Sequence, residues 1–207
     1  DKINYEEAAS VPIVFGTAWR VLINLAKIKP GETALIMAAG SGVGTAAIQI
    51  AKLAGAKVIA AAGDDEKLEK AKFLGADFII NYYRNQNFDE EVRRLTNLDG
   101  VDIVVEQIGG SILPKSLNCL KKGGRMVTLG TIAGNKIEID VQYFYRNNLT
   151  MMGTSGMTHK EVRDVFELVK EGKLKPIIDK IFSLKDANLA HKYMEERKNF
   201  GKIILKI

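Results

Sequence analysis

The stretch 33–58 constrains the fold more than any other part of the chain. An apolar run at 33–37 leads into Ala38-Ala39-Gly40-Ser41-Gly42-Val43-Gly44-Thr45, and a helical pattern and a second apolar run follow. The first run comes after the turn pair Pro30-Gly31 and shows no polar alternation, which predicts a strand buried on both faces. From Val43 onward, Val43, Ala47, Ile50 and Ala54 recur at helical spacing, and Gly55 stands where a glycine C-cap belongs. The run 57–62 completes a strand–turn–helix–strand unit. Glycines where a strand becomes a helix let the backbone pass close to a phosphate, whose charge the first-turn N–H groups and the helix dipole receive. The stretch therefore predicts a site for a dinucleotide pyrophosphate.

The same rhythm runs along the chain. Asp64 or Asp65 caps a helix with Leu68, Ala71 and Leu74 inward, which Gly75 ends, and a short strand follows at 78–80. Asn87 and Asp89 introduce a helix with Val92 and Leu95 inward, and Asp99-Gly100 turns into a strand at 101–106 that Gly109-Gly110 ends. A helix at 112–120, a strand at 125–130 and a sixth strand at 149–153 continue the alternation. Ahead of the organising unit, Asn4 with Glu7 reads as a capping box opening a short helix that Pro12 stops. A second helix is expected from about Gly16, burying Ala18, Leu22, Leu25 and Ala26. Beyond residue 158 a helix at 160–171, an extended run at 176–182, a helix at 186–197 and a strand at 202–207 do not extend the repeat. Unalternating strands separated by single helices predict an α/β fold: a doubly wound parallel six-stranded sheet, the Rossmann fold, in order 3-2-1-4-5-6. Residues 1–207 are read as one domain with a C-terminal extension. Such a sheet binds ligands outside the carboxyl ends of its strands, between the first and fourth, where Gly40 to Gly44, Gly109-Gly110 and Gly130 fall.

Composition narrows the classes of function. The longest apolar runs fall well short of the roughly 20 residues of a membrane span, so no membrane partner is expected, and no signal peptide is visible. A single cysteine, Cys119, excludes an intrachain disulfide and a cysteine-clustered zinc site, and fits a cytoplasmic location. The net charge of +5 raises the question of nucleic acid. The lysines, however, are interleaved with acids, as in Asp64-Asp65-Glu66-Lys67 and Glu195-Glu196-Arg197-Lys198, and no basic stripe with aromatic residues predicts a nucleic-acid partner. His159 and His191 have no cysteine or carboxylate at ligand spacing and are read as structural. Neither G-x-S-x-G nor H-E-x-x-H is present. The residues read as a holder of a cofactor rather than a source of catalytic groups.

Which cofactor is left open by the residues. The strict G-x-G-x-x-G is broken at Thr45. Asp64 stands about 20 positions beyond the glycines, where an acid binds ribose hydroxyls. Yet the strand ends Ala60-Ala61-Ala62-Gly63 without a carboxylate, and Lys67 one turn later suits a 2′-phosphate. Tyr82 and Tyr83 follow the third strand, placed either to pack on adenine or to fill the core. S-adenosylmethionine is a weaker alternative, because Ala38-Ala39 replace the acid usual before a methyltransferase turn.

Several motifs in one order carry a resemblance. Phe15-Gly16-Thr17-Ala18-Trp19, Lys29-Pro30-Gly31-Glu32, the turn 38–44 and Leu74-Gly75-Ala76-Asp77 are followed by Gly100-Val101-Asp102 through Gly109-Gly110. The stretch 120–130, Gly172-Lys173-Leu174-Lys175-Pro176 and Phe200-Gly201-Lys202 complete the set. Over nearly its whole length the chain resembles the medium-chain dehydrogenase/reductase superfamily, in its zinc-type alcohol dehydrogenase and quinone oxidoreductase branch. In that branch the turn is Ala/Gly-rich, so Thr45 is no obstacle.

The resemblance implies an NAD- or NADP-dependent oxidoreductase passing hydride to or from a carbonyl, alcohol or activated alkene. It implies that Ser41, Gly42 and Val43 contact the pyrophosphate, that Gly44 permits close helix packing, and that Asp64 and Lys67 lie by the adenosine ribose. Tyr82 falls near the adenine end, while Ile108, Gly109, Gly130 and Thr131 border the cofactor from the fourth and fifth strands. Thr17, Met152 and Gly153 approach the nicotinamide, and Lys202 reaches a phosphate. It further implies a homodimer joined through the edge strand 149–153. Family members begin with a GroES-like barrel that carries the zinc ligands or substrate pocket, and the sequence given starts after it. Where zinc-dependent relatives place a further cysteine, Val11-Pro12-Ile13-Val14 stand here. No zinc site, no catalytic residue and no turnover are therefore expected of these residues alone, and 159–207 corresponds to a segment that in relatives returns to the catalytic half. A stand-alone nucleotide-binding module is the alternative.

Overall fold

The apolar runs become one parallel sheet in the computed structural model, which describes residues 3–207. Asp1 and Lys2, included in the expected domain span, lie outside the described residues. The strands are β1 (Thr33–Ile36), β2 (Lys57–Ala62), β3 (Phe78–Asn81), β4 (Val101–Glu106), β5 (Leu120–Thr128) and β6 (Thr150–Gly153), in the expected order β3-β2-β1-β4-β5-β6. Pairs such as Leu35 with Ile59 and Leu35 with Val104 fix the register at the centre. Because side chains alternate across a strand, each run feeds two cores. Ala34, Ile36, Val58, Ala60, Ile103 and Val105 face one apolar cluster, while Leu35, Met37, Ile59, Ala61 and Val104 face the other. This double burial is why the strands show no polar alternation.

Helices cover both faces. On the first lie α2 (Pro12–Trp19), α3 (Gly42–Leu53) and α8 (His159–Lys170), through Val14, Phe15, Ile48, Val165 and their neighbours, while α1 (Tyr5–Ser10) packs on α2 and the C-terminal strands. On the second lie α5 (Phe88–Leu95) and α6 (Ile112–Asn118), through Phe88, Val92, Leu113 and Leu117. The edge helix α4 (Asp65–Phe73) buries Leu68 and Ala71.

Three local readings are corrected. The Asn4–Glu7 capping box forms, but Pro12 is the first residue of α2 and not merely the end of α1. Its missing N–H costs nothing at a helix start. The helix runs on from α2 into a π-helical segment, Arg20–Leu25, with Ala26 N–H bonded to Val21 O at 2.8 Å. The fifth strand starts at Leu120, five residues early, its register to β4 shifting between Val101 and Ile103. A short helix unseen in the pattern, α7 (Val141–Arg146), precedes β6.

The C-terminal segment makes a second sheet, in which β7 (Ile178–Ser183) pairs parallel with β8 (Lys202–Lys206) across α9 (Ala187–Glu195). Gly201 N–H bonds to Gly40 O at 2.9 Å, and Gly201 bridges to Ser41. This joins the extension to the glycine turn of the main sheet. No helix among the described residues is long and apolar enough to cross a membrane.

Candidate functional site

Beyond the tips of β1, β2 and β4 lies a cleft of about 1150 Å³. Its floor is the turn between β1 and α3. Ser41 is extended and caps α3, its Oγ accepting from Gly44 N–H at 2.9 Å. The N–H groups of Gly42 and Val43, in the first turn of α3, have no intrahelical partner. They stand at the positive end of a twelve-residue helix, on residues that line the cleft. Gly44 must be glycine, since a Cβ there would sit 2.4 Å from Ala38 O and 2.7 Å from Ala39 O. Ala38 itself takes a left-handed φ of 49°. A non-glycine residue rarely holds this conformation outside constrained sites.

The tip of β4 is built from side chains instead. Gln107 donates from Nε2 to Met37 O at 2.8 Å and accepts from the Ser41 hydroxyl at 3.1 Å. Glu106, fully buried, accepts the N–H groups of Ile108 and Gly109 on Oε1. Its Oε2 and the Ser116 hydroxyl are both buried without a formed hydrogen bond among the described residues. Burial pushes the Glu106 carboxyl up, against the nearby Ser116 hydroxyl and the backbone N–H groups, which favour the charged form.

At the β2 end the groups come from four segments. Asp64 caps α4, its Oδ1 accepting from Lys67 N–H at 2.9 Å. Lys67 lies over Gly40 and its ammonium donates to Arg197 O. Burial pushes the Lys67 ammonium down, although Asp64 and Asp179 favour its charge. The ring of Tyr83 covers Gly63, where an added Cβ would meet it at 2.4 Å, and Arg197 Nη1 donates to the Tyr83 hydroxyl at 2.9 Å. Tyr82 packs edge-on to Phe88, and burial above all raises its phenol to about 12, so it stays protonated. Lys67, Lys115, Arg197 and Lys202 face a cleft whose acids are Asp64, Glu195 and Glu196.

Of the residues singled out in the sequence, Ser41, Gly42, Val43, Asp64, Lys67, Tyr82, Ile108 and Lys202 line this one cleft. Gly44 lies behind the turn, as expected of a packing glycine. Gly109, Gly130 and Thr131 lie where the loops after β4 and β5 touch. A Cβ at Gly109 would come within 3.1 Å of Thr131 Cα, and one at Gly130 within 2.8 Å of Gln107 O. Gly109, Gly130 and Thr131, with Thr17, Met152 and Gly153, are not among the lining residues. Thr17 is buried on α2, Met152 packs against the first cluster and Gly153 is exposed at the tip of β6. The sequence reading missed Gln107 and Arg197 as lining residues. A polar residue closing the apolar run of β4 was a signal for the former; Arg197, 130 residues from Lys67, gave none. Among the described residues no group of three or more His, Cys, Asp and Glu side chains could hold a metal ion.

A dinucleotide diphosphate fits the arrangement: two free N–H groups at a helix start, a glycine that lets the turn tighten, and ammonium and guanidinium groups on the far wall. Comparisons with known proteins agree with the fold and the motifs. Residues 42–171 match the family described as zinc-binding dehydrogenase. The quinone oxidoreductase-like protein 2 of Bos taurus is 32% identical over the whole chain, which spans 62% of that relative. A crystal structure of an NAD-dependent alcohol dehydrogenase superposes with a TM-score of 0.94 at 38% identity over 99% of this chain and 60% of that one. The quinone oxidoreductase of Escherichia coli complexed with NADPH gives a TM-score of 0.90 at 30% identity over 99% and 66%. The chain thus spans about three fifths of the curated relative's length. On the match to its family, the motif order and the sheet together, it belongs to the zinc-binding dehydrogenases of the medium-chain dehydrogenase/reductase superfamily.

Proposed function

We propose that these residues form the dinucleotide-binding part of an NAD(P)-dependent oxidoreductase of the alcohol dehydrogenase and quinone oxidoreductase type. The observation that carries the reading is the pair of N–H groups on Gly42 and Val43, without a hydrogen-bond partner among the described residues and set in a cleft at the switch point of the sheet. The turn 41–43 holds the pyrophosphate, Asp64 and Lys67 flank the adenosine ribose, Tyr82 lies near the adenine end and Ile108 borders the cofactor from the fourth strand. Lys202 reaches a phosphate. Gly109, Gly130 and Thr131 shape the loops beside the cofactor, and Thr17, Met152 and Gly153 lie toward the nicotinamide. When bound, the nicotinamide supplies hydride chemistry, and the protein's share is to orient it and exclude water.

The cations beside Asp64 support a preference for NADP(H) over NAD(H). Asp64 spends its Oδ1 on the α4 cap, while Lys67 and Arg197 have no carboxylate ion pair among the described residues. A 2′-phosphate between them gains charge-assisted hydrogen bonds that a hydroxyl cannot match. The solved quinone oxidoreductase relative is a complex with NADPH and the solved alcohol dehydrogenase is NAD-dependent, so the choice rests on these cations alone.

Three further parts of the reading rest on the family. The span 1–207 is the cofactor domain, with 159–207 returning toward a catalytic half, so these residues alone bind cofactor without turning over alcohol or quinone. Two copies pair through the strand 149–153, where Thr150, Met151 and Gly153 are exposed along an edge. The location is cytoplasmic.

Fluorescence titration of the chain with NADPH and NADH is the test. Binding of NADPH at micromolar or weaker affinity is expected. Lys67→Met and Arg197→Met should each weaken NADPH about tenfold, the scale of one charged hydrogen bond, and leave NADH within about twofold. Absence of binding by either nucleotide breaks the reading; steady quinone or alcohol turnover by the purified chain breaks the part concerning activity.

A further inference from the structure

Where β1 and β4 part at the switch point, their backbone ladder ends with Met37 N–H bonded to Val105 O at 3.0 Å. The next acceptor, Met37 O, belongs to a fully buried residue and needs a partner. Gln107 supplies it from its side chain, carrying the ladder one rung past the point where the two backbones diverge. This rung settles which way the Gln107 amide faces. A carbonyl oxygen accepts and never donates, so the NH₂ end must point to Met37 and Oε1 must point to Ser41. The Ser41 hydroxyl has a single proton and already accepts from Gly44 N–H. Facing an amide oxygen at 3.1 Å, it must donate that proton to Gln107.

Resting on the dinucleotide reading above, we propose that Gln107 is a positioning residue that locks the Ser41 hydroxyl in its capping role. The pyrophosphate is then received by backbone N–H groups and not by that hydroxyl. The chain Met37 O–Gln107–Ser41 Oγ–Gly44 N–H runs from the buried strand to the first turn of α3. Each member has one direction of donation open to it. With Ser41 committed to the protein on both sides, the pyrophosphate is left to backbone N–H groups of the turn such as those of Gly42 and Val43. Gln107 acts on the ligand through Ser41, and at 6% exposure it has little surface to offer a ligand directly.

The direction of the Ser41 proton is what an experiment must read. In the full chain, Gln107→Met keeps the length of the side chain and removes both hydrogen bonds, Ser41→Gly removes the hydroxyl at a position where glycine still caps, and the double variant closes a cycle. Affinities for ADP and adenosine are measured by calorimetry, and exchange of the Gly44 amide by NMR. Gln107→Met should weaken ADP about fivefold, the scale of one hydrogen bond, change adenosine less than about twofold and speed Gly44 exchange about fivefold. In the Ser41→Gly background the same substitution should add less than about twofold to the ADP loss. Equal losses in both backgrounds, equal losses for ADP and adenosine, or no loss would overturn the proposal.

Wild type alone gives a second reading should Gln107→Met fail to fold. The Gln107 side-chain amide protons should stay slow to exchange at saturating ADP. If ADP makes them fast, the Ser41 hydroxyl has swung to the phosphate and the proposal fails. A wild-type chain that binds neither ADP nor NADPH while showing a protected Gly44 amide sinks the dinucleotide reading and leaves the Gln107–Ser41 link standing.

Discussion

The tips of β1 and β4 stand side by side at the switch point and are built in opposite ways. The β1 tip, 37–44, contains no titratable side chain and exposes backbone; the β4 tip, 106–110, buries a carboxyl group and an amide and consumes backbone N–H groups. A backbone site for phosphate needs Cβ atoms removed, as at Gly44, which leaves little on the turn itself to hold its shape. The neighbouring tip provides that hold. Glu106 fixes the Ile108 and Gly109 N–H groups, and Gln107 ties Met37 to Ser41.

The largest effect is expected on the bare tip. Gly44→Ala pushes a Cβ against two backbone oxygens, which cannot rotate away, and should cost about 3 kcal/mol or more. Gly153→Ala is the control, because nothing lies within 4 Å of a Cβ there. Urea midpoints measure both, and equal costs would break the claim that the turn is tight for a packing reason.

Next comes the side-chain tip. Glu106→Ala leaves two buried N–H groups unpaired and should cost about 2–3 kcal/mol. Glu106→Gln keeps an acceptor and removes the charge. Because burial above all raises the folded carboxyl above its ordinary value of 4.5, Glu106 gives its full stability below that value and loses it as pH rises through the folded one. Glu106→Gln should therefore match wild type below about pH 4 and gain on it as pH rises to 8. A gap that closes with rising pH would show the charge to be favourable where it lies.

The opposite sign is expected at the far end of the sheet, where an acid is paired. Burial alone would raise Asp77, but Lys52 at 2.8 Å and Val58 N–H at 2.7 Å outweigh it and hold the carboxyl below 3.8. Its stabilisation is present above 3.8 and lost as pH falls. The margin between wild type and Asp77→Asn should shrink on acidification, as acid-titrated urea melts would show. A margin independent of pH would mean that Lys52 contributes nothing through charge.

What was legible in the sequence follows the same division. The glycine turn, the caps at Asn4 and Asp64 and the strand order come from patterns within about 25 residues, where local periodicity and right-handed crossovers leave few choices. Pro12 was misread because proline suits a helix start as well as a helix stop, and the sequence does not say which side the chain takes. The short helix α7 buries no residue, so it carries no periodic apolar stripe. Gln107 and Arg197 act through partners 66 and 114 residues away, Ser41 and Tyr83, and such pairs exist only after the sheet and its extension have closed.

The smallest effect tests Asp64, which has two possible employments. As the cap of α4 it accepts Lys67 N–H at 2.9 Å; as the acid beyond the turn it would face the ribose hydroxyls of NAD(H). Asparagine caps as well as aspartate, so Asp64→Asn should change stability by less than about 0.5 kcal/mol, while Asp64→Ala should cost about 1 kcal/mol. The ligand then separates the two roles. If capping is the role, removing the charge leaves NADH binding unchanged and tightens NADPH about two- to threefold, by lifting repulsion from the 2′-phosphate beside Lys67. A drop in NADH affinity of about tenfold with stability unmoved would instead assign the carboxylate to the ribose. It would also break the contrast between the tips, because the nucleotide would then be gripped by a side chain on the β2 side as firmly as by the backbone of the turn.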